Sequence, residues 1–252
     1  MEKQTDFGFK KVNYEEKSKL VGEIFSNVAK KYDLMNDLMS GGIHRLWKNR
    51  MLEEINFSNK NGEIKIIDVA SGTCDIAMRI AKKANKYGVK YKIEATDINQ
   101  QMLDEGKRRT IDANLFSHIN FTCVDGEKLP FPDNHFDFFT IAFGIRNFTN
   151  IDAALREANR ILKPGGKFIC LEFSKVNDYF LQKIYDTYSF KVIPQIGKLV
   201  LNDKESYQYL VESIRKFPDQ KRFNQMIENA GFLQVTYHNL SFGAAAIHTG
   251  IK

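Results

Sequence analysis

The sequence predicts an α/β fold: a doubly wound, mostly parallel seven-stranded sheet with N-terminal helices and a helical insertion before the last two strands. Two observations lead to this prediction. From residue 63 onward, short runs rich in β-branched residues alternate with segments of helical periodicity, as they do when crossover helices join parallel strands. The chain then ends in two apolar runs separated only by Ser241-Phe242-Gly243, which indicates a closing antiparallel hairpin.

The individual elements follow from the apolar spacing. Strands of the alternating region are predicted at 64–69, 91–96, 119–124, 137–143 and 167–172. The helices between them are predicted at 75–86, 100–114 and 151–162. The last of these stops at Lys163-Pro164-Gly165-Gly166, which combines a helix terminator with a turn. A final helix at 220–230 leads into strands at 232–240 and 244–249.

One loop carries the strongest functional signal. The run Ile66-Ile67-Asp68-Val69 ends in the small residues Ala70-Ser71-Gly72-Thr73-Cys74, and a helical pattern follows. A strand, a tight loop and a helix start leave backbone N–H groups free to face a ligand. The next strand ends in Asp97, well placed to accept hydrogen bonds from ribose hydroxyls, and the third is followed by Asp125-Gly126, which could accept from an adenine amino group. Together these residues indicate a nucleotide-like cofactor.

The length of 252 residues suits one domain spanning residues 1–252. Within it we expect an N-terminal helical cap (1–62), a cofactor-binding core (63–177), a helical insertion (178–218), and a final helix with the strand hairpin (219–252). The cap is expected to be helical because apolar residues recur at Ile24, Val28 and Tyr32 and again over 43–55.

Composition excludes several classes. With 37 basic and 31 acidic residues the net charge is +6, and the lysines are scattered rather than clustered, so no nucleic-acid partner is expected. The three cysteines lack metal spacing, no metal site is expected, and reduced thiols fit a cytoplasmic protein. The N-terminus lacks an apolar signal region, and no stretch approaches the ~18 apolar residues of a membrane span.

Several blocks resemble one enzyme family over nearly the whole chain. The N-terminal blocks are Lys31-Tyr32-Asp33-Leu34-Met35-Asn36-Asp37-Leu38-Met39-Ser40 and Gly42-Ile43-His44-Arg45-Leu46-Trp47-Lys48. The later blocks are Leu129-Pro130-Phe131-Pro132-Asp133, Phe143-Gly144-Ile145-Arg146-Asn147, Leu162-Lys163-Pro164-Gly165-Gly166 and Leu171-Glu172-Phe173-Ser174-Lys175. The chain resembles the ubiquinone/menaquinone biosynthesis C-methyltransferases, which have the Rossmann-like class I fold and use S-adenosyl-L-methionine.

The resemblance implies a set of cofactor-binding residues. They are Gly72, Thr73, Asp97, Asp125, Gly126 and Ala142. The backbone around residues 70–73 would face the amino-acid end of the cofactor. Cys74 stands where the family usually has glycine, so it lacks glycine's freedom at positive φ, and we expect a slightly repositioned loop. Ala142 replaces a common serine and offers only backbone or van der Waals contact.

The resemblance also implies C-methylation of a prenylated benzoquinol or naphthoquinol. Arg146 is interpreted as the cation that stabilises the developing phenolate, because its high pKa makes it a poor base. Asn147 would orient a ring oxygen, and Tyr32 would bond the substrate oxygen or relay a proton. His44, near Trp47, is predicted to be structural.

An aromatic helical face in residues 178–201 suggests a further contact. Its members are Phe180, Leu181, Ile184, Tyr185 and Tyr188. They could line a channel for a polyprenyl tail, touch the inner face of the membrane as a peripheral contact, or pack against the core or another subunit. A homo-oligomer or a biosynthetic complex therefore stays open.

Three alternative functions remain at this point. An NAD-dependent reductase is disfavoured by the missing second glycine and the closing hairpin. An RNA-binding module lacks a clustered basic face. A methyltransferase acting on another lipid or small acceptor, such as an amine headgroup, is opposed only by the family resemblance.

Overall fold

A seven-stranded sheet forms the centre of the protein in the computed structural model, which describes residues 4–28, 37, 40–58, 62–176 and 204–252. Its strands are β3 (Ile64–Val69), β4 (Tyr91–Asp97), β5 (Ile119–Cys123), β6 (Phe136–Ala142), β7 (Leu162–Phe173), β8 (Leu233–Leu240) and β9 (Ala245–Ile251). Their spatial order is β5-β4-β3-β6-β7-β9-β8. Strand β9 runs antiparallel to both of its neighbours, β7 and β8, and the other strand pairs are parallel. The predicted mostly parallel sheet with a closing hairpin is therefore confirmed.

Helices cover the two faces of this sheet. They are α1 (Tyr14–Val28), α2 (His44–Glu53), α3 (Asp75–Tyr87), α4 (Gln100–Asp112), α5 (Ile151–Ile161), α6 (Lys204–Lys216) and α7 (Gln220–Asn229). On one face, α2 and α3 bury apolar side chains such as Met51 and Ile80; on the other, α5 and α7 bury Leu155 and Phe223. Both faces of the central parallel strands are therefore buried, as parallel strands require, whereas the edge strand β8 stays largely exposed.

The beginning of the chain differs from the expected helical cap. Strands β1 (Gln4–Phe7) and β2 (Lys10–Asn13) pair antiparallel around Gly8, which has a φ of +58°. Phe7 stacks on Tyr209 of α6 with ring centroids 4.4 Å apart. The prediction of helices from residue 1 is thus wrong for residues 4–13, because a distant aromatic partner and a glycine turn favour a hairpin there. The expected helices follow at α1 and α2.

Candidate active site

A cavity lies at the carboxyl ends of β3, β4 and β5, where parallel strands leave room for a ligand. The loops after these strands and after β6 form its walls, and α1 closes it through Ser18, Val21 and Phe25. Helix α1 is held there by Asn99, whose amide nitrogen donates to the carbonyl of Gly22 at 3.0 Å. The sequence did not predict that α1 forms a wall of the cavity, because helical periodicity does not show which site a helix covers.

The loop after β3 is built on a buried carboxylate. Asp68 accepts hydrogen bonds from the hydroxyls of Ser71 at 2.7 Å and Thr140 at 2.8 Å. Burial raises the pKa of Asp68 to about 6. The loop then passes through Ala70 and Gly72 with φ values of 51° and 56°. Asp68 therefore fixes the loop from behind rather than facing the ligand.

Cys74 adopts the left-handed conformation that glycine would adopt more easily. Its φ is 62°, and it immediately precedes α3 without capping the helix through its side chain. Its sulfur is buried against Gly106 of α4, where a Cβ would lie only 2.4 Å from Sγ. The absence of a side chain at residue 106 therefore provides the space that Cys74 occupies.

Asp97 joins the loop to the next strand end. Its carboxylate accepts from the backbone N–H groups of Gly72 and Asn99, each at 2.9 Å. Burial raises the pKa of the Asp97 carboxyl, although these N–H groups oppose the shift. A carboxylate has about four lone-pair sites, so it can still accept from a ligand diol. Asp97 and Gly72 both line the cavity, and the predicted ribose contact stays a prediction.

Asp125 and Gly126 line the same cavity beyond β5. A Cβ at Gly126 would lie 2.7 Å from the ring of Phe148 and 2.9 Å from Val69, so only glycine fits this close approach. Two other residues of the predicted set are not among the lining residues. The hydroxyl of Thr73 accepts from Arg109 at 2.6 Å, and the wall after β6 begins with Phe143 rather than Ala142.

The charged side chains among the described residues that line the cavity are all acidic. Three carboxylates line it, those of Asp97, Asp125 and Glu127, and among the described lining residues there is no Lys, Arg or His. Glu127 is occupied by the backbone N–H groups of Thr149 and Asn150. An acidic wall favours a cationic ligand and disfavours a pyrophosphate, which disagrees with a dinucleotide cofactor.

Arg146 is paired with a buried carboxylate. Its guanidinium forms an ion pair with Glu172 at 2.8 Å, with side-chain exposures of 3% and 1%, and it also donates to the carbonyl of Phe143. It borders a second cavity, beside the β1–β2 hairpin, instead of the acidic one. In the described part of the chain the charge of Arg146 is matched by Glu172, and its predicted role as the cation that stabilises the developing phenolate stays a prediction.

Asn147, Tyr32 and His44 have separate outcomes. Asn147 lies on the wall of the acidic cavity, and its Oδ1 accepts from the hydroxyl of Tyr209 at 3.0 Å. Tyr32 falls outside the described residues, as does the aromatic face of 178–201. His44 Nε2 lies 2.8 Å from Asp37 Oδ1, and burial lowers the pKa of the imidazole. His44 is not among the residues that line the cavity.

Comparison with known proteins shows the family of this chain. A model of the ubiE/COQ5 methyltransferase family matches residues 10–252. The chain belongs to the ubiE/COQ5 methyltransferase family. It is 55% identical over 249 residues to the ubiquinone/menaquinone biosynthesis C-methyltransferase UbiE of Rickettsia bellii (strain OSU 85-389), with 99% of each chain covered.

Solved structures show how this family member is built. A SAM-dependent methyltransferase from Aquifex aeolicus matches with a TM-score of 0.56 and 18% identity, covering 81% of this chain and 88% of that one. A SAM-dependent methyltransferase from Thermotoga maritima matches with a TM-score of 0.58 and 19% identity, covering 91% of this chain and 99% of that one. At this identity the likeness shows the fold alone, which is the Rossmann-like fold of SAM-dependent methyltransferases.

Two features are absent from the described ranges of this methyltransferase. No helix there is long and apolar enough to cross a membrane. No group of three or more His, Cys, Asp or Glu side chains there is arranged to hold a metal ion.

Proposed function

We propose that this methyltransferase transfers the methyl group of S-adenosyl-L-methionine to a ring carbon of a prenylated benzoquinol or naphthoquinol, in ubiquinone or menaquinone biosynthesis. The observation that carries the proposal is the acidic cavity, free of basic side chains in its described lining, with Asn147 on its wall. The sulfonium of this cofactor is a cation, so the charge of the cavity matches it. The relative from Rickettsia bellii carries the corresponding name.

The residues of the cavity fit this cofactor. Asp97 would bind the ribose hydroxyls, and Asp125 would accept from the adenine amino group. The side chains of Ile98 and Met102 offer apolar surface for the base. Gly72 and Gly126 allow the backbone to approach closely, and Thr73 and Ala142 would act only through their neighbours in the loops. When bound, the cofactor supplies an electrophilic methyl group.

The acceptor side must activate a poor nucleophile. A ring carbon can attack the methyl group when a neighbouring hydroxyl loses its proton and pushes electrons into the ring. The methyl–sulfur bond would break with its electron pair leaving on the sulfur, and the methylated ring carbon would then lose its own proton to restore the aromatic ring. The protein therefore has to hold carbon, methyl and sulfur in line, which contributes ~7–11 kcal/mol in favourable cases. It also has to stabilise the phenolate oxygen. Asn147 would donate a hydrogen bond to this oxygen, and we keep Tyr32 as a second group that bonds it or relays its proton.

Arg146 takes a different role in this proposal. Through Glu172 and the carbonyl of Phe143 it braces the turn over residues 143–147, so that Asn147 is presented to the cavity. It is thus a positioning residue for the acceptor side. The long prenyl tail would leave through the aromatic segment of 178–201, in a cytoplasmic enzyme that contacts the inner face of the membrane peripherally. A homo-oligomer or a biosynthetic complex is compatible with this arrangement.

A direct assay tests the reaction. The purified protein is incubated with labelled S-adenosyl-L-methionine and a short-chain demethylated prenylquinol under reducing conditions, and the products are analysed by mass spectrometry. We expect a product methylated on ring carbon. The assay is run separately with a benzoquinol, a naphthoquinol and an amine-headgroup acceptor. Methylation of the amine acceptor instead would favour the alternative acceptor class, and absence of transfer to both quinols would refute the proposal.

Calorimetry tests the cofactor site separately. Asp97→Asn should weaken binding of S-adenosyl-L-methionine about 10- to 100-fold, the size of a lost hydrogen bond to a charged group. Asp104→Asn, on the exposed face of α4, is the matched control and should bind as the wild type does. Equal affinities for both variants would contradict the ribose assignment, and tight binding of NAD would contradict the choice of cofactor.

A further inference from the structure

Asn147 carries a hydrogen bond on the side turned away from the acidic cavity. Its donor is Tyr209 of α6, whose hydroxyl lies 3.0 Å from Asn147 Oδ1. Tyr209 is 5% exposed and belongs to the wall of the second cavity, not the acidic one. Sixty-two residues separate the two side chains in the sequence. The contact therefore depends on the tertiary structure and not on local sequence.

The contact decides which end of the amide faces the cavity. A carboxamide has one oxygen that accepts and one nitrogen that donates. Tyr209 takes the oxygen, and in the described part of the chain nothing accepts from Nδ2 of Asn147. Because Asn147 lies on the cavity wall, the nitrogen is the polar atom left to meet a ligand.

The orientation of an amide is easily lost. The terminal torsion of asparagine is broad and nearly two-fold, so an unheld amide can turn over. A turned amide would point its oxygen at the ring oxygen of the acceptor, which repels a developing phenolate. Burial raises the pKa of the Tyr209 hydroxyl, so the phenol stays protonated and keeps its donor. The stacking of Tyr209 on Phe7 holds the ring in place.

We propose that Tyr209 is a positioning residue for methyl transfer: it binds Asn147 Oδ1 and so directs the amide N–H of Asn147 at the acceptor's ring oxygen. This inference rests on the proposed function, since it assigns an oxygen-bearing aromatic acceptor to the same site. Tyr209 does not touch the reacting atoms. Its effect is exerted through Asn147, and removing its hydroxyl leaves the ring and its stacking in place.

The chain contains a matched control for this contact. Tyr91 donates to Asn85 Oδ1, also at 3.0 Å, and is 4% exposed. Tyr91 begins β4 and so lies at the amino edge of the sheet, opposite the cavity. Tyr91→Phe therefore removes a Tyr–Asn hydrogen bond of the same length from an equally buried tyrosine, although its partner Asn85 is exposed, and it does so where no acceptor can be affected.

The test compares Tyr209→Phe with Tyr91→Phe in the methyl-transfer assay. For Tyr209→Phe we expect kcat to fall about tenfold, the equivalent of one neutral hydrogen bond, with KM for the cofactor as in Tyr91→Phe. The rise of kcat with pH should also move to higher pH, because the phenol of the acceptor loses its stabilising donor. A kcat equal to that of Tyr91→Phe would overturn the proposal.

Two changes at Asn147 keep the result decisive if Tyr209→Phe folds poorly. Asn147→Ala should lower kcat about 100-fold, as expected for one donor to a developing oxyanion. Asn147→Asp still accepts from Tyr209 but lacks the N–H, so its kcat should fall as far. In the Asn147→Ala background Tyr209→Phe should change kcat less than about twofold, since coupled residues are not additive.

Other outcomes of the same series would overturn the inference. Independent, additive losses in the double variant would mean that Tyr209 does not act through Asn147, and full activity of Asn147→Asp would mean that no amide donor is needed. Both leave the proposed function intact. A wild-type protein that binds S-adenosyl-L-methionine but methylates neither quinol would refute the proposed function and this inference together.

Discussion

The carboxyl edge of the sheet has two halves that treat their charged side chains differently. In the half formed by β3, β4 and β5, Asp97 and Asp125 lie on a cavity wall and accept from backbone N–H groups, and none of the described residues that line this cavity is a cation. In the half formed by β6 and β7, Arg146 and Glu172 neutralise each other out of contact with water. The first arrangement leaves charge available for a ligand, whereas the second uses charge to build the wall that presents Asn147.

Removing Arg146 from its ion pair with Glu172 should change the unfolding free energy more than any other substitution discussed below. Arg146→Ala leaves Glu172 buried without its partner, and such losses typically cost about 3–5 kcal/mol of unfolding free energy. We expect urea denaturation to show a loss of this size, together with reduced turnover. If Arg146 were instead an unpaired cation acting on the acceptor, turnover would fall while stability stayed within about 0.5 kcal/mol of the wild type.

A double variant provides the control for the ion pair. Arg146→Met with Glu172→Gln removes both charges and keeps an acceptor for the neighbouring backbone N–H groups. A neutral pair avoids the cost of removing two charged groups from water. The double variant should therefore recover at least half of the stability that Arg146→Ala loses. Failure to recover would indicate that the guanidinium holds the loop mainly through the carbonyl of Phe143.

The pH dependence of stability should sharpen the comparison on the cofactor half. The pKa of Asp68 is about 6 in the folded protein, above the ordinary value of 3.8. Between these values the folded state holds a proton that the unfolded state has released, so the contribution of Asp68 to stability is present below pH 4 and lost as pH rises through 6. The unfolding free energy of the wild type minus that of Asp68→Asn should therefore fall by about 2 kcal/mol from pH 4 to 7.

This pH dependence is measured by chemical denaturation of both proteins across that range. Taking the difference removes the contributions of all other carboxylates that the two proteins share. A difference that rose with pH would mean that Asp68 is stabilised as a carboxylate by Ser71 and Thr140, and that burial is the smaller effect.

The smallest expected effect is the coupling between Cys74 and Gly106. Gly106→Ala places a methyl group 2.4 Å from Cys74 Sγ and should cost about 1–3 kcal/mol, as overpacking does. In a Cys74→Gly background the same substitution should cost little or stabilise, since alanine favours a helix by up to about 1 kcal/mol over glycine. Thermal denaturation of the four proteins measures this coupling, and equal costs in both backgrounds would contradict it.

Much of the fold was predictable because it is encoded locally. The alternation of strand and helix patterns, Asp97 at the end of β4 and Gly72 in the first loop follow from periodicity and from the turn that a parallel strand makes at its end. The β1–β2 hairpin was not predictable. Residues 4–13 pair around Gly8, and Phe7 stacks on Tyr209, which is far away in the sequence. Helix α1 was predicted as a helix but not as a wall of the cavity.

The candidate site divides along the same line. Sequence alone determined the class of fold, the family and which strand ends carry polar residues, since residue type and spacing fix the face on which a side chain lies. Only the tertiary structure decided that Arg146 is paired with Glu172 and that Asn147 is held by Tyr209. The physical reason is that the partner of a buried charge or amide is chosen by the packing of separate elements, and no local pattern records it.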